Sequence, residues 1–415
     1  MDLPTGACAM KSMSPWQFTI FRIVFGLYLA VHFAQLVPWS VELFGARGVL
    51  PDASLNPTHR LFPNPLNFDL PDGMVRGFVA SLAALSLVFA AGLWRRWISL
   101  LLWFGWACLF HRNNLISNPS IPYVGLLLLL CALVPSGEPW SREKSDRPWF
   151  MPLWVYRAAW ILLAMGYTFS GFTKLFSPSW VDGTAMQYLL ENPLARPGLP
   201  REWMLGLPAG VLAIGTWAAL VAELLFAPLA LWRRSRPIIW LLMILMHLGI
   251  VFLIDFSDLS FGMLMIHLFT FDPRWLPAQV GAKPPLVLAF DGDCLMCSKS
   301  IRFLADEDAS YALRFTPLQS LRGQEMEKEH GEGALKSVLL EVDGRIMSRS
   351  TAVLRLLAAL GGHWRLFGIF GRLVPRVLRD AAYDFVANRR HRWFGKGDAC
   401  GMPSEALRAR LLDQN

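Results

Sequence analysis

The chain has 415 residues, 54% of them apolar and only 17% charged, and its mean hydropathy is +0.39. An average residue that prefers lipid to water excludes a wholly soluble enzyme, and six cysteines are too sparse for a disulfide framework. The net charge of +8 follows from Lys and Arg beside apolar stretches and from a basic tail in a membrane-tethered domain, which speaks against nucleic acid as a partner and for anionic lipid headgroups.

About eight apolar stretches approach the length that a bilayer demands. They run over 16–38, 74–93, 97–111, 121–135, 152–172, 209–232, 237–254 and 259–275, the third and fourth being short. No small-residue cleavage site follows the first, so no cleavable signal peptide is expected. Lys and Arg near the stretch ends set the orientation. One side carries Lys11, Arg95, Arg96, Arg142, Lys144, Arg147, Arg233, Arg234 and Arg236. The other carries Arg47, Arg60, Arg112, Lys174, Arg196 and Arg201. The bias predicts a multi-pass protein of the cell inner membrane with both termini in the cytoplasm.

Ionisable residues inside these stretches are candidates for function, because burying charge in lipid is costly. They are Arg22, His32, Glu223, His247 and His267. Arg22 and Glu223 read as a structural pair that locks helices. His247 and His267 lie on neighbouring antiparallel stretches, where hydrogen bonding between helices is favoured over a metal pair. The run from His111 to Asn114 reads as lining the same outer cavity as Lys174.

The fifth stretch ends in a further constellation, with Gly171, Lys174-Leu175, Trp180 and Gly183. A lysine at a lipid-shielded helix end is a candidate base, or it snorkels to the interface. These positions resemble the vitamin K-dependent carboxylase-like family of transmembrane domains, the HTTM domain. In the carboxylases the matching lysine is the base that opens the vitamin K cycle. The chain departs from them in two ways. It has no histidine after Asn118, and it lacks their large domain for the protein substrate. The resemblance therefore implies the architecture and a pocket for a quinone or a lipid rather than carboxylation.

A linker over 277–285, with Gly281 and Pro284-Pro285, separates a membrane part (1–276) from a domain over 286–415. That domain opens with an apolar strand, Leu286 to Phe290, then Asp291-Gly292-Asp293-Cys294-Leu295-Met296-Cys297 and a helix. A cysteine at a helix N-terminus faces unpaired N–H groups and the positive end of the dipole, which favours thiolate. Cys294, nearer the helix start, is the candidate nucleophile, and Cys297 the thiol that resolves a mixed disulfide. Asp291 and Asp293 are placed to tune them. The competing reading is zinc, with Cys400, His363 and His391 as further ligands, although their spacing is not paired.

Downstream, Leu313 to Thr316 reads as a strand and Leu321 to His330 as a helix. Ser337 to Val342 and Arg345 to Ser348 read as strands joined by an Asp343-Gly344 turn. A helix capped by Ser350 then runs through Val353, Leu356, Leu357 and Leu360 to Gly361-Gly362. This order predicts a thioredoxin-like α/β domain behind an α-helical multi-pass membrane domain. The Cys-x-x-Cys motif, Ser350-x-Ala352, the stretch from Tyr383 to Gly395 and Cys400 together resemble the DCC family of thiol-disulfide oxidoreductases. The likeness covers about the last 130 residues. Thioredoxins carry a cis-proline before their third strand, where this chain has Ala334-Leu335-Lys336. The resemblance implies a membrane-bound protein-disulfide reductase acting on a protein or small-molecule disulfide. Two readings compete. In one, a membrane enzyme acts on a quinone or lipid at Lys174 and the dithiol regulates it. In the other, the dithiol domain only docks partners in an assembly factor.

Overall fold

The computed structural model describes residues 13–59, 61–143, 149–255, 258–278, 285–292, 295–308, 310–330, 337–395 and 405–412. Lys11, Arg60, Lys144, Arg147, most of the linker, Asp293, Cys294, the segment Ala334-Leu335-Lys336 and Cys400 lie outside these residues. The chain divides into two compact units, Met1–Phe271 and Asp272–Asn415.

The first unit is mostly helical. Helix α1 (Pro15–Leu36) starts where the Gln17 amide donates to the Ser14 hydroxyl, with proline at the first helical position. There follow α2 (Asp72–Ala90), α3 (Arg95–Arg112), α4 (Ile121–Leu133) and α5 (Leu153–Lys174). The last four are α6 (Ala209–Leu224), α7 (Phe226–Leu231), α8 (Arg236–Leu253) and α9 (Asp258–Thr270). Each apolar stretch of the sequence contains a helix, but the sixth breaks at Leu225 into α6 and α7. Pro228 explains the break, because its ring conflicts with the carbonyl four residues back and it has no N–H to donate. The freed Ala227 amide donates instead to the Thr168 hydroxyl at 3.1 Å.

Among the described residues, α1, α2 and α8 are long and apolar enough to cross a membrane; the pair 199–205 and 209–224 is bent by 107° and adds a fourth only if it is a single broken span rather than a re-entrant loop. Helices α4 and α9 have 13 residues each. At 1.5 Å per residue they fall short of a hydrocarbon core of about 30 Å. Ile238, Leu241, Leu245 and Phe252 of α8 are exposed. Such a face is stable against lipid, not water.

Three arginines are fully buried in this unit: Arg22, Arg95 and Arg112. Arg22 does not pair with Glu223. Its partner is Glu138 at 3.3 Å, which also accepts from Arg95 Nε at 2.8 Å. The reason is packing: α1 lies against α2 and the chain after α4, whereas Glu223 sits on α6 and faces α5. Arg95 also donates to Val134 and Pro135 carbonyls, both at 2.9 Å, where α4 ends and its last C=O groups lack helical partners. Arg112 likewise donates to the carbonyls of Gly45, Leu50 and Leu66.

The second unit holds a mixed four-stranded sheet. Its elements are β1 (Leu286–Phe290), α10 (Leu295–Glu307), β2 (Leu313–Pro317), α11 (Leu321–His330), β3 (Leu339–Val342) and β4 (Arg345–Ser348). Helices α12 (Arg349–Leu360), α13 (Gly362–Phe370) and α14 (Arg376–Phe394) follow. The strand order is β2-β1-β3-β4, with β1 and β2 parallel and the other pairs antiparallel. All five residues of β1 are buried, as a central strand covered on both faces requires. Asp343 (φ 50°) and Gly344 (φ 73°) turn β3 into β4, and both positive angles match the twist of a two-residue hairpin. Ser350 is not the cap of α12. The helix starts after Ser348, and the Ser350 hydroxyl instead donates to Asp380 on α14.

Candidate functional site

Of the two motif cysteines, Cys297 is among the described residues. Cys297 is the third residue of α10 and is 7% exposed. It lines a cavity of about 250 Å³ together with Phe290, Ile301, Leu356, Tyr383 and Ala387. Helix α14 supplies part of the lining through Tyr383, Val386, Ala387 and Arg390, so the late stretch of the resemblance is built into the same site. Also lining this cavity, just after β1, the Asp291 carboxylate accepts from Arg390 Nη2 at 3.0 Å and from Gln319 Nε2 at 3.3 Å. Asp291 and Arg390 are both buried, which forces each to keep its partner. The Tyr383 hydroxyl accepts from the Val338 amide at 3.0 Å, and burial pushes its phenol above its ordinary pKa. The cavity is thus apolar with one charged corner.

Arg390 belongs to the basic tail that the sequence assigns to anionic lipid headgroups. The structure spends it inside, on Asp291. Neither Gln319 nor Arg390 could be assigned from the sequence, since 99 residues separate Arg390 from its partner.

Of the residues in the zinc reading, Cys297 and His363 are described, and they form no metal-holding group among the described residues; Cys294, Cys400 and the side chain of His391 lie outside these. His363 is buried with its ring centroid 4.4 Å from that of Trp364. Burial pushes its imidazole down to about 4.

In the first unit, Lys174 closes α5 and donates to both oxygens of Glu223 at 2.5 Å. Its Nζ also lies 4.4 Å from the centroid of the Trp180 ring. The small residues of the same motif explain how it reaches there. A Cβ on Gly171 would meet the Leu224 amide nitrogen at 2.7 Å, so glycine lets α5 close on α6. Gly183 has φ +86°, and a Cβ there would meet Ala213 at 2.8 Å. Behind Lys174, the Tyr167 hydroxyl bridges His267 Nε2 at 2.7 Å and His247 Nε2 at 2.8 Å. A hydroxyl donates once, so one ring accepts from it and the other donates to it. The two histidines are therefore joined by hydrogen bonds, as expected.

His111 and Arg112 do not join Lys174. His111 stacks on Phe62, with centroids 5.1 Å apart, and Arg112 is spent on carbonyls of residues 45–66. Two acidic residues that the sequence reading passed over, Glu138 and Asp258, turn out to organise buried polar groups. Asp258 opens α9 and accepts from Tyr28, His32 and Asn118.

An apolar helical unit and a small mixed-sheet unit with a buried cysteine at its first helix define a membrane-associated chain with an appended thiol domain. The family model described as HTTM domain matches residues 10–275. The model described as DCC1-like thiol-disulfide oxidoreductase matches residues 288–396. The chain belongs to the HTTM family and carries a DCC-family thiol-disulfide oxidoreductase domain at its C-terminal side. It is 37% identical over 131 residues to the uncharacterized protein YuxK of Bacillus subtilis, covering 31% of this chain and 95% of that one. It is 32% identical over 120 residues to a chloroplastic DCC family protein of Arabidopsis thaliana, covering 28% of this chain and 69% of that one. No solved structure matches the chain.

Proposed function

We propose that the chain is a membrane-bound thiol-disulfide oxidoreductase of the protein-disulfide reductase type, working through Cys294 and Cys297. The observation that carries this is Cys297 in the first turn of α10, directly after the central strand, lining an apolar cavity with the Asp291–Arg390 pair at its edge. The DCC-family match supports the reaction class. The thioredoxin-like reading of this domain rests on the strand order and on the parallel β1–β2 pair bridged by α10.

In the reaction, the Cys294 thiolate attacks one sulfur of a substrate disulfide and expels the other sulfur as thiolate, which takes up a proton. Cys297 then loses its proton and attacks the Cys294 sulfur, expelling the second substrate thiolate. The substrate gains two electrons and two protons, and the dithiol becomes a disulfide. The apolar cavity favours a disulfide flanked by apolar groups.

The membrane part anchors this domain in our reading, with about eight crossings, cytoplasmic termini and contact with membrane lipids. A quinone or lipid reaction at Lys174 has less behind it. A base needs a free lone pair, and the Lys174 nitrogen is held between a carboxylate and an indole face, both of which attract a cation. A cavity among the described residues of this unit is lined by His32 and Asp258 and not by Lys174.

The test uses the full chain in detergent with a small aromatic disulfide as substrate. Cys294→Ser should abolish turnover, and Cys297→Ser should accumulate a mixed disulfide on Cys294. Turnover that survives Cys294→Ser would overturn the assignment.

A further inference from the structure

The polar cluster at the start of α9 serves neither the dithiol nor Lys174, and it borders a cavity. The cavity holds about 270 Å³, and His32, Gln35, Asn118 and Asp258 form its polar wall. Trp106, Phe110 and Ile121 line its apolar side.

The hydrogen bonds of this cluster leave little freedom. The Asn118 carbonyl oxygen accepts from the Ser120 amide at 2.9 Å and from the Ser120 hydroxyl at 2.6 Å. That fixes the side-chain amide, so its nitrogen faces Asp258 Oδ2, at 3.1 Å. The other oxygen, Oδ1, accepts from the Tyr28 hydroxyl at 3.0 Å and lies 2.8 Å from His32 Nδ1. An ionised carboxylate only accepts, so Nδ1 carries the hydrogen. In the neutral ring the lone pair then sits on Nε2. None of the described residues bonds Nε2, and the His32 ring lines the cavity, 17% exposed. A carboxylate that orients an imidazole, held in turn by an amide and a phenol, is more than a helix needs for packing.

We propose that this cavity is a binding site for an amphipathic alcohol. His32 Nε2 accepts the hydrogen of its hydroxyl, and its apolar body runs along Trp106, Phe110 and Ile121. Asp258 acts as a positioning residue that sets which nitrogen of His32 accepts. The shape of the pocket, apolar with one convergent polar wall, suits a small molecule with a single polar head.

The experiment is photolabelling of the full chain in detergent with an octanol that carries a diazirine on its chain, with labelled peptides mapped by mass spectrometry. Labelling should concentrate in residues 28–36 and 103–121. Unlabelled octanol should compete for it about tenfold better than octyl methyl ether, the factor that one hydrogen bond supplies. The ether keeps the acceptor oxygen and lacks the hydrogen, so it isolates the role given to Nε2. His32→Phe should remove the preference for the alcohol while apolar labelling persists. Because the comparison of competitors needs no variant, it decides the matter even if His32→Phe fails to fold. Equal competition by the ether, or labelling spread evenly over the helices, would overturn the proposal.

Discussion

At the scale of single residues, burial decides what each ionisable group does. His363 lies inside the second unit with no described partner at Nε2, so a protonated ring there would bury an unsatisfied N–H. Its pKa in the folded chain is held at about 4, against an ordinary value of 6.5. Between these values the unfolded chain binds the proton and the folded chain does not. Stability should therefore rise with pH across that window, by at most about 1.4 kcal/mol per unit, and be flat above it as far as His363 is concerned. The unfolding midpoint of the full chain at pH 4.5 and at pH 7 measures this, and His363→Phe should shrink the difference. An unchanged difference in that variant would refute the assignment.

Lys174 gives a second residue-scale outcome. If the pair with Glu223 and the Trp180 face define its role, arginine can satisfy both, since it forks to carboxylates and stacks on rings. Lys174→Arg should keep protein level and thermal midpoint near those of the parent. Lys174→Ala should lower both, because Glu223, whose side chain is 5% exposed, loses its partner. A parent-like Lys174→Ala with lost cellular function would instead point to a chemical role. None of these pairings was legible in the sequence. Arg22 and Glu223 looked like partners because each was a lone charge in an apolar stretch. Which lone charges meet depends on which helices touch.

At the scale of elements, local pattern carried most of the information. The short strands, the Asp343-Gly344 hairpin and helix α11 could be read directly, because apolar alternation, turn residues and helical spacing act within a few residues. What local pattern missed was contact between elements. Gly26 of α1 shows this: a Cβ there would meet the Ala90 side chain of α2 at 2.7 Å and its backbone at 2.9 Å. Gly77, on α2, has nothing within 4 Å of an added Cβ. Gly26→Val should therefore force α1 off α2 and cost roughly 1–3 kcal/mol, as overpacking does. Gly77→Ala should be neutral or slightly stabilising, since alanine favours helix. Thermal midpoints of the two variants in detergent check the contrast, and equal behaviour would contradict the close approach.

At the scale of the whole molecule, orientation in the membrane follows from charge outside the helices. Two arginines counted toward it are fully buried: Arg95, held by Glu138 and backbone carbonyls, and Arg112, held by backbone carbonyls. They were assigned to opposite sides, so their removal leaves the bias toward cytoplasmic termini in place. Reporter fusions after Asn415 and in the segment around Arg196 should report opposite sides of the membrane. The same side for both would reverse the orientation argument and the compartment of the dithiol.

The sequence by itself determined the division into an apolar helical part and a small α/β part, the position of the dithiol after the first strand, and the two families that the chain joins. These are local or compositional properties, since hydropathy, spacing and turn chemistry need no knowledge of distant residues. Only the tertiary structure decided that Arg390 closes on Asp291, that Lys174 is tied to Glu223, that Tyr167 links two histidines, and that Asp258 orients His32 beside a cavity. Those groups lie between 49 and 226 residues apart, and the energy that joins them appears only once lipid or protein has replaced water around each.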